Sequence, residues 1–159
     1  GPLPMTRRTL VLLATLGSAA LLLGAFAFQY IGGYLPCKMC LWQRWPHAAA
    51  ILLGVAYLGG GPRALIWLGA LAAAITGAIG IFHAGVEWKW WPGPASCTGG
   101  GLDLGAMNGG DLLSMDAPTG LVLCDEIVWQ FLGLSMAGWN AVLSLVLVLI
   151  WIAAARRPA

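Results

Sequence analysis

Four apolar stretches, separated by two short polar interruptions and one long one, set the pattern of this chain. The first runs uncharged from Thr9 to Tyr30 and exceeds the roughly 20 residues that a membrane-spanning helix needs. The second, Trp45 to Gly60, is bounded by Arg44 and Arg63. It is short for a span, so its helix is expected to begin near Cys40 and to cross over about 41–60. Pro46 is awkward there, because inside a helix its ring clashes with the carbonyl of Trp42. Either the helix starts near Arg44 with Pro46 in its first turn, or it is kinked between Cys40 and the span. Gly59-Gly60-Gly61-Pro62-Arg63 predicts a tight turn.

The third stretch, 64–86, is rich in Gly and Ala, which let membrane helices approach closely. It leaves through Trp88, Trp90 and Trp91, a residue type that prefers the membrane–water interface. The fourth is uncharged from Ile127 to Ala155, longer than one span requires. Its first part is expected to lie along the interface, with the span at about 134–155 and Asn140 a polar residue near its start. Between the third and fourth stretches, about 87–130, runs a polar connection broken by glycines and by Pro92, Pro94 and Pro118. Leu112, Leu113 and Met115 are expected to form a short amphipathic turn in it. The fold predicted is an all-α membrane protein: a four-helix transmembrane bundle, one domain over 5–159, with a short loop at about 31–40 and one long loop.

Composition agrees. The chain of 159 residues is 60% hydrophobic and 9% charged, against roughly a quarter charged in soluble domains. Residues 1–4 read as a protease-cleavage remnant, with Met5 the native start. A cleaved signal peptide is the competing reading of the first stretch. Its length and the cysteine motif that follows within a few residues argue against it. Arg7, Arg8, Arg63, Arg156 and Arg157 fall on one side of a four-span layout, and Lys38, Arg44 and Lys89 on the other. Positive charge favours the cytoplasmic side, so the termini are expected inside and both cysteine-bearing loops outside. There is no basic stripe interleaved with aromatics, so nothing points to nucleic acid.

The chemistry lies in the four cysteines and their neighbours. Cys37, Cys40 and Arg44 fall at positions that return to nearly one face of a helix. A reactive thiolate favours positive potential, which a helix N-terminus supplies. Four cysteines allow three pairings. Cys37 with Cys40 and Cys97 with Cys124 is the favoured one, since the first two are adjacent and the second two would close the long loop. Two structural disulfides would account for Cys97 and Cys124 but poorly for Cys37 and Cys40, whose two intervening residues constrain almost nothing. Structural zinc sites use two close pairs or added histidines, and the second pair is neither close nor beside a histidine. No metal is expected. Haem attachment would need His where Leu41 stands. Arg44 can bind a carbonyl oxygen and stabilise negative charge developing there. A quinone carries two such carbonyls and lives in the bilayer. Gln43, His47 and His83 are further candidate donors to it, and Glu87, four residues after His83, would neighbour that histidine on a helix.

Three motifs occur in order: Pro36-Cys37-x-x-Cys40-x-x-Gln43-Arg44, Pro92-x-Pro94-x-x-Cys97, and Cys124-x-x-x-x-Trp129-x-Phe131-Leu132-Gly133-Leu134-x-Met136-x-x-Trp139. Together with the four-span layout they resemble the DsbB family, the bacterial disulfide bond formation protein B, over essentially the whole native chain. The resemblance implies an inner-membrane thiol:quinone oxidoreductase that reoxidises a periplasmic DsbA-type oxidase and passes the electrons to ubiquinone, with menaquinone the other possibility. It implies that Cys97 is the cysteine attacked by the partner and Cys124 its disulfide mate. Cys37 and Cys40 are then the pair that reoxidises the loop, Cys40 standing beside the quinone, and Arg44 is the quinone-binding arginine. Pro46 is not part of the pattern, and His83 does not align cleanly with the family's histidine after the third span. Two other readings are a related four-helix enzyme with a different partner, such as a vitamin K epoxide reductase-like one, and a membrane scaffold whose cysteines brace the loop.

Overall fold

The computed structural model describes residues 5–34, 36–94, 124, 127 and 129–158. Cys97 and the turn expected at Leu112, Leu113 and Met115 lie outside the described residues. Four helices account for most of the rest: α1 (Arg7–Tyr30), α2 (Lys38–Leu58), α3 (Ala64–Glu87) and α4 (Met136–Arg156). Between α3 and α4 the strands β1 (Gln130–Phe131) and β2 (Leu134–Ser135) pair as a minimal antiparallel hairpin. Three of the helices, α1, α3 and α4, are long and apolar enough to cross a membrane. The chain is an all-α membrane protein.

Three of the four helices start where a side chain satisfies a free N–H group; α3, which follows Arg63, has no side-chain cap. The Thr6 hydroxyl accepts from the Thr9 N–H at 3.1 Å and opens α1. The Ser135 hydroxyl accepts from the Gly138 N–H at 3.2 Å and opens α4. The cap of α2 is Cys37, whose sulfur accepts from the Cys40 N–H at 3.4 Å. So α2 begins well before the start near Arg44 that Pro46 suggests, and the proline sits inside it. Next to the proline, the Thr76 hydroxyl of α3 donates to the Gln43 carbonyl at 2.9 Å. A neighbouring helix commonly gives such support where a proline weakens the hydrogen-bond ladder.

The first part of the fourth stretch is a hairpin. Its turn is Leu132-Gly133, with φ of +53° and +83°. Two consecutive positive-φ residues suit the twist of a two-residue hairpin. The indole N–H of Trp139 donates to the Phe131 carbonyl at 2.8 Å and ties this hairpin to α4.

The helices pack as a ring, α1 on α2, α2 on α3, α3 on α4 and α4 back on α1. One end holds an apolar core around Val11, Ala14, Ala50, Ile66, Ala73 and the fully buried Trp151. Arginines close that end: Arg8 donates to the Leu58 carbonyl at 2.9 Å, Arg63 to Ala155 and Arg7 to Arg157. Cations there complement the unpaired carbonyls at the C-terminal ends of α2 and α4. The opposite end carries the polar residues.

At Gly80 the backbone of α4 comes close to α3: an added Cβ would stand 2.9 Å from the Ala137 carbonyl oxygen and 3.0 Å from the Ala141 nitrogen. Both are backbone atoms and cannot swing away. Gly80→Val is expected to lower stability by about 1–3 kcal/mol, read as an earlier unfolding midpoint in detergent. Gly24→Ala, with nothing within 4 Å of the added Cβ, is expected not to lower the midpoint.

Candidate functional site

Cys37 and Cys40 are free thiols with sulfurs 3.3 Å apart. Cys37 is buried and packs with Met39, Val86 and Cys124, and Cys40 lies against the same cluster. Cys124 is itself fully buried and disulfide-bonded. A dithiol and a half-cystine of a second couple therefore share one water-poor corner. His83 joins them: its Nε2 is 3.5 Å from the Cys37 sulfur and 3.1 Å from the Cys124 carbonyl oxygen. Glu87 Oε2 lies 4.0 Å from the same nitrogen, and Glu87 Oε1 accepts from the Ser135 hydroxyl at 2.6 Å.

The two thiols are not equivalent. Cys37 donates its hydrogen bond to the Cys40 sulfur. That bond, with burial, pushes the Cys37 thiol well above the ordinary range. The same bond holds Cys40 well below it, against the opposing effect of burial. The bond thus favours the proton on Cys37 and negative charge on Cys40, in the first turn of α2.

Cys40 also faces a cavity of about 400 Å³ between α1, α2 and α4. Most of its wall is apolar, including Leu21, Gly24, Phe28, Trp129 and Leu143. Its polar lining is Cys40, Gln43, Arg44, His47 and Asn140, with Tyr34. The stripe expected of Cys37, Cys40 and Arg44 forms only in part: Cys40 and Arg44 line the cavity together with His47, while Cys37, the cap of α2, faces inward to His83. Arg44 donates through Nη1 to Gln29 Oε1 at 2.7 Å, and its guanidinium carbon lies 5.0 Å from the centre of the Phe26 ring. Its Nε–H is buried and has no protein partner among the described residues.

Sequence reasoning grouped Gln43, His47 and His83 as donors to one ligand. The structure separates them. His47 and Gln43 line the cavity; His83 stands at the cysteine cluster. They are joined through Asn140, which the sequence marks only as an odd polar residue in a span. Asn140 donates to Gln43 Oε1 at 2.8 Å, and its Oδ1 accepts from His47 Nε2 at 2.8 Å. Gln43 in turn donates to His83 Nδ1 at 3.0 Å. Ser18 of α1 is 3.3 Å from His47 Nδ1, and Ser144 donates to Asn140 at 3.2 Å. The signal for Ser18, Thr76 and Ser144 is absent from the sequence, because small hydroxyl residues are common in membrane helices.

A membrane helix bundle with a buried dithiol at a helix start, a half-cystine against it and an apolar cavity reached by one of the thiols defines a class of membrane-embedded thiol–disulfide proteins. The comparisons with known proteins narrow it. The family model described as disulfide bond formation protein DsbB matches residues 7–154, and the chain belongs to that family. It is 33% identical to disulfide bond formation protein B of Paracidovorax citrulli, covering 96% of this chain and 90% of that protein. With the protein of the same name from Hahella chejuensis it shares 32% identity over 99% of both. With that of Methylococcus capsulatus it shares 35% over 83% of this chain and 84% of the relative. No solved structure matches it significantly.

The unequal thiols are open to a chemical check. An ordinary thiol is only a few per cent ionised at neutral pH, so in reduced protein iodoacetamide is expected to modify Cys40 roughly tenfold or more faster than Cys37. Peptide mass spectrometry after a short pulse reads the ratio, and equal labelling would show that the proton is not held on Cys37.

Proposed function

We propose that this protein is an inner-membrane thiol:quinone oxidoreductase that reoxidises a periplasmic DsbA-type oxidase. The observation that carries the reading is that the free Cys37–Cys40 pair touches a disulfide-bonded Cys124 on one side and, through Cys40, an apolar cavity on the other. Electrons enter at the loop cysteines Cys97 and Cys124, with Cys97 the sulfur attacked by the partner. They pass by thiol–disulfide exchange to Cys37 and Cys40. Oxidation of that pair forms one S–S bond and releases two electrons; of the two protons, one leaves when Cys40 ionises and the other when the Cys37 S–H bond breaks. A DsbA-type protein is a strong oxidant, at about −120 mV, so its reoxidation requires a still stronger sink.

The cavity residues fit a quinone. About 400 Å³ of mainly apolar space lies within the usual range for small-ligand sites. The Arg44 Nε–H, buried without a protein partner, is the kind of orphan donor that a carbonyl oxygen satisfies. Ubiquinone, or menaquinone in its place, supplies a two-electron, two-proton acceptor with such carbonyls. Arg44 would hold it, with Gln29 and Phe26 fixing the guanidinium. Gln43, His47 and Asn140 form the other polar part of the wall. Cys40 carries the charge that electron transfer draws on, and Cys37 keeps a proton within 3.3 Å of it. Segregation of the arginines supports an orientation with both termini cytoplasmic and the cysteines periplasmic.

The test is quinone reduction by a reduced DsbA-type protein, followed as loss of quinone absorbance. Cys40→Ser and Cys97→Ser are expected to abolish turnover. Arg44→Ala removes a charge-assisted hydrogen bond, about 1.5–3 kcal/mol, and is expected to raise the quinone KM roughly 10- to 150-fold with a smaller effect on the partner's KM. An unchanged quinone KM would take Arg44 out of the site. Failure of the unaltered protein to reduce any quinone would sink the reading.

A further inference from the structure

The orientation of one amide decides which nitrogen of His83 carries its proton. The Met39 carbonyl can only accept, and it lies 3.0 Å from the Gln43 side-chain nitrogen. The Thr76 carbonyl likewise can only accept, and it lies 3.3 Å from the Asn140 side-chain nitrogen. These two backbone oxygens fix both amides the same way round. Gln43 therefore turns its oxygen to Asn140 and one of its two hydrogens to Met39, which leaves the other for His83 Nδ1 at 3.0 Å. A nitrogen that accepts there holds a lone pair. The neutral ring then carries its hydrogen on Nε2, the atom that faces the Cys124 carbonyl oxygen at 3.1 Å and the Cys37 sulfur at 3.5 Å.

Two consequences follow from that hydrogen. It makes the contact with the Cys124 carbonyl a hydrogen bond; in the other tautomer a lone pair would face that oxygen and the contact would be repulsive. It also occupies the only ring position that a metal shared with the two sulfurs could use. Cys37, Cys40 and His83 bring their ligand atoms within 4.8 Å of one another, with one sulfur–sulfur separation of 3.3 Å and one sulfur–nitrogen separation of 3.5 Å. Ligands on tetrahedral zinc, at bond lengths of about 2.0–2.3 Å, stand roughly 3.5–3.8 Å apart. The triangle is thus close to the size of a zinc site, and a buried dithiol of this kind invites thiophilic cations.

We propose that Gln43 is a positioning residue that fixes His83 as its Nε2–H tautomer, which docks the Cys124 backbone on the dithiol and closes the Cys37–Cys40–His83 triangle to zinc-type cations. The docking half rests on the reading that the two sulfur couples exchange; the metal-exclusion half does not. Gln43→Glu reverses the instruction, because a carboxylate accepts from Nδ1–H and frees Nε2 as a ligand.

The experiment uses the full chain, reduced, in lipid nanodiscs. In ¹⁵N-histidine-labelled wild-type protein, His83, assigned by its loss in His83→Gln, is expected to show the Nε2–H tautomer. Cadmium chloride, titrated while following cadmium–thiolate absorbance, is expected to bind Gln43→Glu at least tenfold more tightly than wild type. Removal of His83 in the Gln43→Glu background should abolish that gain. An Nδ1–H tautomer in the wild type, or equal cadmium affinity in the two proteins, overturns the proposal. The tautomer is read on wild-type protein, so a poorly folding variant does not leave the question open. Neither readout requires turnover, so a protein that reduced no quinone but met both expectations would keep the lock and lose only the functional reading.

Discussion

Everything at the polar end of this bundle depends on two backbone carbonyls that can do nothing but accept. The oxygens of Met39 and Thr76 orient the side-chain amides of Gln43 and Asn140. Those amides orient the imidazoles of His83 and His47. A buried amide or imidazole left unpaired in so apolar a setting would cost several kcal/mol. The network is therefore stable in one arrangement, with nearly every donor matched to an acceptor. That rigidity lets a dithiol, a half-cystine and a ligand-sized cavity meet at fixed distances without a soluble domain around them.

The same physics explains how much of the molecule is legible in its sequence. α1, α3 and the bulk of α4 announce themselves by uninterrupted apolar length, because a helix in lipid must satisfy its own backbone. Their ends fall within a few residues of expectation for the same reason. The start of α2 is less legible. Pro46 argues for a later start or a break, yet the chain folds through it because Cys37 caps the helix upstream and Thr76 supports the Gln43 carbonyl from α3. A sequence shows the cost of a proline locally and hides its compensation, which lies on another helix. The hairpin at Leu132-Gly133 is hidden differently: its residues are apolar, so they read as an interfacial lead-in to the span, and only the positive-φ turn marks it.

At the site, the residues are legible and their grouping is not. Spacing within one helix puts Cys37, Cys40 and Arg44 on one stripe; the cavity wall keeps Cys40 and Arg44 and adds His47, while Cys37 caps the helix and turns to His83. Which side of α2 Gln43 and His83 serve depends on how the helices pack, and local spacing contains no such information. Asn140 illustrates the limit. Alone it is one polar residue in an apolar run; in the bundle it connects the cavity to the cysteine corner by touching both His47 and Gln43.

The division of labour along α2 follows from these constraints. Its first turn carries the sulfur that bears charge, where the N-terminal end of a helix favours an anion. One turn on, Arg44 presents a permanent cation at the cavity, held in place by Gln29 and Phe26 of α1. A turn further, His47 is engaged by Ser18 and Asn140. A helix so furnished is more polar than its three neighbours, and although it is as long as α4 it is the one not apolar enough to count as a membrane-crossing helix. It holds its place by packing between α1 and α3, and that pair of contacts also closes the site. The charged and polar groups that weaken α2 as an independent span are therefore the groups that join it to the other helices.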